Sequence, residues 1–236
     1  MTDKPPILQV TDLRGWYGES QALHGMGFVV NEGEVVTLLG RNGAGKTTTL
    51  RAIIGLLRRK TGSVTFHGQE ILGLPAETIA RRGLAYCPEE RGIFASLTVE
   101  ENLFLPPVIA PGGMDVDAIL TLFPNLRERW TSPGTKLSGG EQQMLAIARI
   151  LRTGSRFLLL DEPTEGLAPV IIKQIGMVIR ALKERGYTVL LVEQNFRFAA
   201  KLADRHYVVE HGQVIDSFTA ADVTTKLDRI QTYLKA

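Results

Sequence analysis

The fold of this chain is decided by one stretch in its first third, Val35 to Leu57, which reads VVTLLGRNGAGKTTTLRAIIGLL. Its first five residues, Val35 to Leu39, form a short apolar run that is typical of a buried strand. Six residues rich in glycine follow. Beyond them, a helix is predicted over Lys46 to Leu57, because apolar side chains recur at i, i+3, i+4 and i+7 (Leu50, Ile53, Ile54 and Leu57). The stretch therefore joins a strand, a glycine loop and a helix.

The glycine loop has the composition of a phosphate-binding loop. Gly40-Arg-Asn-Gly-Ala-Gly-Lys46-Thr47 fits the pattern G-x-x-x-x-G-K-[ST], with a predicted strand before it and a predicted helix after it. Successive amides and the helix start supply partial positive charge to an anion. We expect Lys46 to reach the terminal phosphates and Thr47 to offer its hydroxyl to Mg²⁺. The candidate nucleotide-binding residues here are Gly40, Arg41, Asn42, Gly43, Ala44, Gly45, Lys46, Thr47 and Thr48. A glycine-rich turn without a ligand is the alternative.

The rest of the chain divides into strand–helix alternation and a strand-free middle. Strands are predicted over 7–13, 26–30, 63–66, 157–160, 188–192, 207–210 and 213–217, and helices over 115–123, 141–151, 169–185 and 195–203. Buried strands that alternate with helices indicate an α/β core with parallel strands. His211-Gly212 predicts a hairpin turn between the last two strands. Since no strand is predicted from about residue 87 to 151, an inserted helical subdomain is expected there.

An acidic pair follows one of the apolar strands. Phe157-Leu-Leu-Leu160 leads directly into Asp161 and Glu162. Beside a phosphate loop, such a pair suits a nucleotide-hydrolysing site: Asp161 would help to hold Mg²⁺, and Glu162 would polarise the attacking water. Acids at a strand end can also be ordinary solvated loop residues, and the phosphate loop is what favours the functional interpretation.

Composition excludes several classes of protein. The chain has 236 residues with a formal net charge of +2, so no broad basic field points to a nucleic-acid partner. Cys87 is the only cysteine, which excludes an internal disulfide and favours a reducing compartment. The apolar runs are far shorter than the ~18 residues of a membrane span, and the first ten residues lack an apolar signal core. A membrane role is therefore expected to come through a partner.

A third motif, Leu137-Ser-Gly-Gly-Glu141, precedes a predicted helix. Ser138 could cap that helix, and the paired glycines leave amides open to an anion; an ordinary capped helix is the alternative. The phosphate loop, this motif and the run LLLDEPT (158–164), taken in order, resemble the ATP-binding subunits of ABC transporters. The resemblance implies one domain over 1–236: an α/β phosphate-loop core (1–86 and 153–236) with a mixed sheet and an antiparallel β subdomain, and an inserted helical subdomain at about 87–152.

The same resemblance implies a two-chain site for ATP and Mg²⁺. Two cassettes would pack head to tail, with Ser138, Gly139, Gly140 and Glu141 of one chain closing on the ATP held by Lys46 of the other. Tyr17 matches the aromatic residue that stacks on adenine, although a plain surface or core tyrosine is the alternative. Two membrane permease subunits are the implied partners, and the stretch 90–97, with Ile93, Phe94 and Leu97 expected to be exposed, would contact them.

Finer features are most similar to the second ATPase subunit of branched-chain amino-acid importers. They include Tyr86-Cys-Pro-Glu89, Glu162-Pro-Thr-Glu-Gly-Leu-Ala-Pro169, Val192-Glu-Gln-Asn195 and Tyr233-Leu234. This subgroup implies a position on the cytoplasmic face of the inner membrane, a sister ATPase subunit or a second copy as the other cassette, and an indirect substrate-binding protein. It also serves urea, amides and aromatic acids, so the cargo stays open.

Three positions depart from the general family pattern. Glu89 stands where glutamine is usual, Gln194 where histidine is usual, and Ala168 where aspartate is usual. We expect Glu89 to add negative charge beside Mg²⁺ or to pair with Arg91. Gln194 can donate an amide hydrogen bond to a γ-phosphate but cannot titrate. Glu162 would thus remain the residue that polarises water, and the absence of a carboxylate at 168 would loosen communication between the paired sites.

Three other functions compete with a transport ATPase. A soluble ABC ATPase that acts on nucleic acid or ribosomes usually carries two cassettes or a coiled-coil arm, which this sequence does not contain. A catalytically dead binding module is disfavoured by Lys46, Asp161 and Glu162. A nucleotide kinase would not need the Ser138 motif.

Overall fold

The computed structural model describes residues 5–223 and 232–233. A six-stranded mixed sheet forms its centre, with the strand order β10-β9-β3-β8-β7-β6. All neighbouring strands in it are parallel except β9 and β10, which form an antiparallel hairpin. The central strands β3, β7 and β8 are buried along their whole length, as their continuous apolar runs predict. The strands are β3 (Val35–Leu39), β6 (Leu84–Cys87), β7 (Phe157–Asp161), β8 (Thr188–Glu193), β9 (Arg205–Glu210) and β10 (Gln213–Thr219).

A second, four-stranded sheet is wholly antiparallel, with the order β2-β1-β4-β5. Its strands are β1 (Leu8–Tyr17), β2 (Ser20–Val30), β4 (Arg59–Phe66) and β5 (Gln69–Glu70). Buried and more exposed residues roughly alternate along β1 and β2, which is the pattern of a sheet that covers a core with one face only. This sheet is the antiparallel β subdomain that the family resemblance implies.

Eight α-helices lie in the described residues. They are α1 (Lys46–Ile53), α2 (Ala76–Arg81), α3 (Val99–Phe104), α4 (Val116–Leu122), α5 (Pro124–Glu128), α6 (Gly139–Leu151), α7 (Pro169–Glu184) and α8 (Phe196–Ala199). Helices α3 to α6 fill the interval between β6 and β7, where an isolated bridge from Thr98 to Pro133 is the one β interaction outside the named strands. The described part of the chain holds no helix of the length and apolar character that a membrane crossing requires.

Apolar side chains on the two faces of the mixed sheet enter two separate cores. Leu158 and Leu160 of β7 belong to a core shared with helices α6 and α7 and the inserted helices. Phe157 and Leu159 of the same strand belong to a core shared with α1 and the antiparallel sheet. The twofold alternation of a strand sends successive residues to opposite faces, so the sheet is covered on both sides. The carboxyl ends of its strands are left to carry the functional residues.

Several predicted boundaries differ from the structure. The first helix ends at Ile53 rather than Leu57, because Gly55 adopts a left-handed φ of 82° and turns the chain. Strand β4 begins at Arg59 rather than Ser63. Strand β6 was not predicted, since four residues are too short to show a period, and Cys87 is its last residue rather than the first of the insert. The last predicted helix, 195–203, is reduced to Phe196–Ala199.

Candidate functional site

The glycine loop joins the carboxyl end of β3 to the start of α1. Gly43 and Gly45 have positive φ angles of 79° and 103°, which residues with a Cβ rarely adopt. Gly40 is required for a different reason: a Cβ there would lie 2.3 Å from the carbonyl oxygen of Val209 in β9. Gly45 is the N-cap of α1 and offers no side-chain cap, an arrangement that suits an anion at the start of the helix.

Lys46 lies at the base of this loop and is buried. Its ammonium donates to the carbonyls of Gly40 at 2.8 Å and Arg41 at 3.0 Å, and its Nζ pairs with Oε1 of Glu162 at 3.0 Å. A cavity of about 290 Å³ opens over these groups. Its lining brings together eight predicted site residues and Ala22, which was not predicted; the eight are Asn42, Gly43, Gly45, Lys46, Thr47, Thr48, Glu89 and Glu162. A second cavity of about 470 Å³ lies against the same loop, with Gln194 and Tyr233 in its wall.

Thr47 and Asp161 form the oxygen-rich side of the site. The Thr47 hydroxyl donates to Oδ1 of Asp161 at 3.0 Å, and the Tyr86 hydroxyl donates to Oδ2 at 3.0 Å. Burial raises the pKa of Asp161 to about 6, although these two hydrogen bonds oppose the shift; the nearby Glu162 and Glu89 add to it. Tyr86 was not predicted as a site residue. Strand pairing explains its position, since β6 lies beside β7 and ends level with it.

These donors fit Mg²⁺, a hard cation that prefers oxygen ligands and retains several waters. The described residues contain no cluster of three or more acidic, histidine or cysteine side chains of the kind that encloses a metal. Thr47 and Asp161 would accordingly act together with phosphate oxygens and not as a complete protein cage.

Glu162 and Gln194 meet where β7 and β8 end. The Glu162 amide donates to the Val192 carbonyl at 3.0 Å, and Glu162 has a left-handed φ of 42°. The Gln194 amide Nε2 donates to Oε2 of Glu165 at 2.9 Å and lies 3.4 Å from Oε2 of Glu162. The structure thus brings Lys46, Glu162 and Gln194 together, as the sequence predicts, and adds Glu165 as an unpredicted partner of Gln194.

The Ser138 loop is not part of these cavities within one chain. Ser138 caps α6: the Glu141 amide donates to its Oγ at 3.3 Å, and Oε2 of Glu141 accepts from the Ser138 amide at 2.7 Å. The Glu141 carboxylate also pairs with Arg129 at 3.2 Å. In the described chain, neither cavity at the phosphate loop is lined by Ser138 to Glu141 or by Tyr17, whose side chain is 48% exposed at the end of β1. The predicted nucleotide contacts of these residues stay predictions.

The two alternatives for Glu89 can be compared directly. Glu89 lines the cavity beside Thr47, which agrees with negative charge near the predicted metal. Pairing with Arg91 is not observed: Arg91 donates to Oε1 of Gln142 at 3.3 Å, and it is the neighbouring Glu90 that forms an ion pair, with Arg51 at 3.0 Å. Of the apolar residues predicted to be exposed nearby, only Phe94 is; Ile93 and Leu97 are half-buried.

Cys87 and Tyr233 both lie among packed apolar side chains. Cys87 is buried, and burial raises the pKa of its thiol to about 12, so the thiol stays protonated at neutral pH. Tyr233 packs beside a small core that contains Leu39 and Phe218. Leu234, the other half of the terminal motif, lies outside the described residues.

A glycine loop at the end of a parallel strand, with a buried lysine and an acidic pair facing it, defines a phosphate-loop nucleotide-binding cassette. The ABC transporter family matches residues 23–165. The chain is 46% identical to the high-affinity branched-chain amino acid transport ATP-binding protein BraG of Pseudomonas aeruginosa, over 97% of this chain and 99% of that protein. It is 35% identical to the lipopolysaccharide export system ATP-binding protein LptB of Haemophilus influenzae, over 97% of each chain.

A solved structure shows the same architecture. The ADP conformation of MJ1267, an ATP-binding cassette of an ABC transporter, superposes with a TM-score of 0.82 at 25% identity, covering 99% of this chain and all of that one. The chain belongs to the family of ATP-binding subunits of ABC transporters, and it is an ATPase.

Proposed function

We propose that this ATPase powers an importer of branched-chain or other hydrophobic amino acids, as its second ATPase subunit. The observation that carries the proposal is the 46% identity to BraG across almost the whole length of both chains. Export, by analogy with the more distant LptB, is the second candidate for direction. Urea, amides and aromatic acids are the alternative cargoes. The subunit would bind two permeases as a peripheral protein on the cytoplasmic face of the inner membrane, with a substrate-binding protein acting indirectly.

The residues that line the site would have different roles in binding and hydrolysing ATP. Loop amides and the Lys46 ammonium bind the phosphate chain of ATP, and a bound phosphate competes with Glu162 for Lys46. Thr47 and Asp161, with Glu89 nearby, would hold Mg²⁺, which when bound neutralises part of the phosphate charge. Glu162 accepts a hydrogen bond from the attacking water and polarises it. Gln194 donates to the terminal phosphate.

A second cassette completes the site in this proposal. The Ser138 loop lines neither phosphate-loop cavity of its own chain, and Ser138 and Glu141 hold the start of α6 in place. A facing chain, either a sister subunit or a second copy, would supply the glycine amides of this loop and the Ser138 hydroxyl to the nucleotide. Tyr17, exposed at the end of β1, would stack on the adenine.

The permease is proposed to dock between the core and the insert. A cavity of about 410 Å³ lies there, with a mainly apolar wall that includes Leu56, Ile79, Pro107 and Ile109. Leu56 and Val108 are more than half exposed, and Phe104 and Leu105 nearly so. An exposed apolar surface of this kind marks an interaction site. It lies beside β6, whose end carries Tyr86 against Asp161, so docking there would act close to the nucleotide.

Two substitutions test the assigned chemistry. Purified Glu162→Gln should bind ATP, measured by calorimetry with Mg²⁺, while its hydrolysis falls by a factor of about 10² or more, because the general base is gone. Gln194→Ala should lose less, since it only orients phosphate. Hydrolysis near the wild-type rate in Glu162→Gln, together with an inactive Gln194→Ala, would reverse the assignment.

Transport itself needs the assembled complex. The chain is reconstituted with the two permeases and the other cassette in vesicles, and uptake of radiolabelled leucine, urea and an aromatic acid is compared. ATP-dependent leucine uptake that is lost with Lys46→Ala supports the proposal. Uptake of urea alone would reassign the cargo, and ATP-dependent efflux would reassign the direction.

A further inference from the structure

Glu193 is a buried carboxylate that the proposed chemistry does not use. It is the last residue of β8 and is only 1% exposed. Its Oε1 accepts from the hydroxyl of Thr164 at 2.8 Å, and its Oε2 accepts from the amide of Asn195 at 3.3 Å. Thr164 is buried as well. The two partners lie in different loops, one that contains Glu162 and one that contains Gln194, so Glu193 links the loops that follow β7 and β8.

The loop that contains Glu162 needs such support. Glu162 has a φ of 42°, a left-handed conformation that is strained for a residue with a Cβ and persists only when its surroundings impose it. The Glu162 amide is fixed by the Val192 carbonyl, and the Glu165 amide closes a turn onto the Glu162 carbonyl at 3.1 Å. The Thr164 hydroxyl fixes the middle of that turn on Glu193. Consecutive residues of β8 therefore hold both sides of the strained residue.

The loop that contains Gln194 is fixed by the same carboxylate. Asn195 donates its amide to Glu193 and begins α8, where its side chain caps the Phe198 amide at 3.2 Å. Gln194 lies between Glu193 and Asn195, and its side-chain amide donates to Glu165. The Glu193 side chain thus bonds both to Thr164, two residues after Glu162, and to Asn195, the residue after Gln194.

The surroundings of Glu193 make its hydrogen bonds costly to lose. Burial raises its pKa to about 7, against the opposing effect of the Thr164 and Asn195 donors, and the adjacent Glu162 carboxylate raises it further. A buried carboxylate without its donors is strongly destabilised. Removing the Thr164 hydroxyl should therefore displace the end of β8, and with it the loop of Gln194.

We propose that Glu193 is a positioning residue for ATP hydrolysis, which holds Glu162 and Gln194 in register through the Thr164 hydroxyl and the Asn195 amide. The inference depends on the roles proposed above for Glu162 and Gln194. It adds Thr164 and Glu193 to the residues on which hydrolysis relies, although neither lines the cavity around Lys46.

Four purified variants test this role: Glu193→Gln, Thr164→Val, Thr164→Ser and the double variant Glu193→Gln/Thr164→Val. Displacement of a catalytic group by about 1 Å can cost about 10²-fold in rate. We therefore expect kcat to fall about 10- to 100-fold in Glu193→Gln and Thr164→Val, while the calorimetric Kd for ATP stays within about threefold. Thr164→Ser retains the hydroxyl and should recover most of the rate. The double variant should be no slower than the slower single variant, because both break one link.

Several results would overturn the inference. One is an unchanged kcat in Glu193→Gln and Thr164→Val, and another is a Thr164→Ser as slow as Thr164→Val. Rate losses that multiply in the double variant, or a Kd that weakens as much as kcat falls, count against it equally. If Glu193→Gln does not fold, the Thr164 pair decides alone. Glu162→Gln is assayed alongside: normal hydrolysis in it defeats the proposed function, whereas an inactive Glu162→Gln with active Glu193 and Thr164 variants defeats only this inference.

Discussion

His206 in β9 is a buried side chain whose protonation is tied to folding. It is fully buried, stacked on Phe218 with ring centroids 4.8 Å apart, and its Nδ1 lies 2.6 Å from the Thr37 hydroxyl. Its Nε2 has no hydrogen-bond partner among the residues that the structure describes. Burial lowers the pKa of His206 to about 4, and only Asp204 opposes that shift. The folded chain therefore keeps this imidazole neutral well into the acid range.

This burial predicts a loss of stability in mild acid. The unfolded histidine has a pKa of 6.5 and the folded one about 4, so between these values the unfolded state binds more protons. Stability from this group is complete above pH 6.5 and falls as the pH drops towards 4; by pH 5 the loss is about 2 kcal/mol. The free energy of unfolding is measured in urea at pH 7 and at pH 5. Its decrease between the two pH values should be about 2 kcal/mol smaller in His206→Gln, whose side chain cannot titrate, than in the wild type. An equal difference in both proteins would contradict the prediction.

At the scale of elements, the loop between β3 and α1 depends on contact with β9 as well as on its own conformation. The Cβ of an alanine at position 40 would meet a backbone carbonyl, which cannot move aside as a flexible side chain can. The turn between β9 and β10 is also tied to this loop, because the Gly212 amide donates to the Ala44 carbonyl at 2.8 Å. The geometry of the loop is thus set partly by a hairpin far away in sequence.

Gly40→Ala should therefore destabilise the protein as well as weaken ATP binding. Overpacking against backbone costs about 1–3 kcal/mol, and the displaced loop loses amide contacts to phosphate. Thermal unfolding and calorimetry with ATP measure the two effects. Gly73→Ala is the matched control, because nothing lies within 4 Å of its Cβ position; it should leave both unchanged. Equal behaviour of the two variants would refute the role of β9.

The start of α3 is another element held by one side chain. Asn102 is fully buried; its amide donates to the carbonyls of Phe94, Leu97 and Thr98 at 2.9–3.1 Å, and its Oδ1 accepts from the Phe94 amide at 2.8 Å. Every polar atom of this side chain is paired. The loop 94–98, part of the stretch predicted to touch the permease, is closed around it.

Asn102→Ala should unfold the protein more easily, since the Phe94 amide loses its acceptor and the carbonyls of Phe94, Leu97 and Thr98 each keep only a backbone donor. We expect a loss of about 3 kcal/mol in urea unfolding. Asn125→Ala, a half-buried asparagine in α5, is the control and should change stability by less than about 1 kcal/mol. Comparable losses in the two variants would show that the four hydrogen bonds are not what stabilises the loop.

At the scale of the whole molecule, the separation of the Ser138 loop from the cavity of its own chain has a testable meaning. Lys46→Ala removes the ammonium group that would bind phosphate in its own chain. Ser138→Arg blocks the Ser138 loop that would close on the ATP of the partner chain. Each variant alone should be inactive. In an equal mixture, half of the dimers contain one chain of each variant. Each mixed dimer has one intact site out of two, formed by Lys46 of the Ser138→Arg chain and Ser138 of the Lys46→Ala chain. About a quarter of the wild-type ATPase activity should therefore return.

The control for this experiment is a mixture of Lys46→Ala with Lys46→Arg, in which no intact site can form. Activity that returns there, or no activity in the first mixture while the wild type is active at the same concentration, would contradict a site shared by two copies of this chain.

The sequence predicted the parts of the site that are local in the chain. The loop Gly40–Thr47 and the pair Asp161-Glu162 each follow an apolar run, and such a run can be recognised from the local sequence alone. The partners of Tyr86, Glu193 and Gln194 were not predictable in this way. Their contacts depend on which strands lie side by side, and the order β3-β8-β7-β6 results from packing that no local period encodes. Strand β6 and helix α2 were missed because both are too short to show a period.

The depth at which Cys87 lies makes the molecule convenient for spectroscopy. A lone thiol that is 1% exposed and hardly ionised at neutral pH should not react with maleimide dyes in the folded chain. A cysteine introduced at an exposed position such as Met177 would then be the sole target of the dye. Fluorophore pairs placed in this way could follow the distance between two cassettes through each turnover without a cysteine-free background.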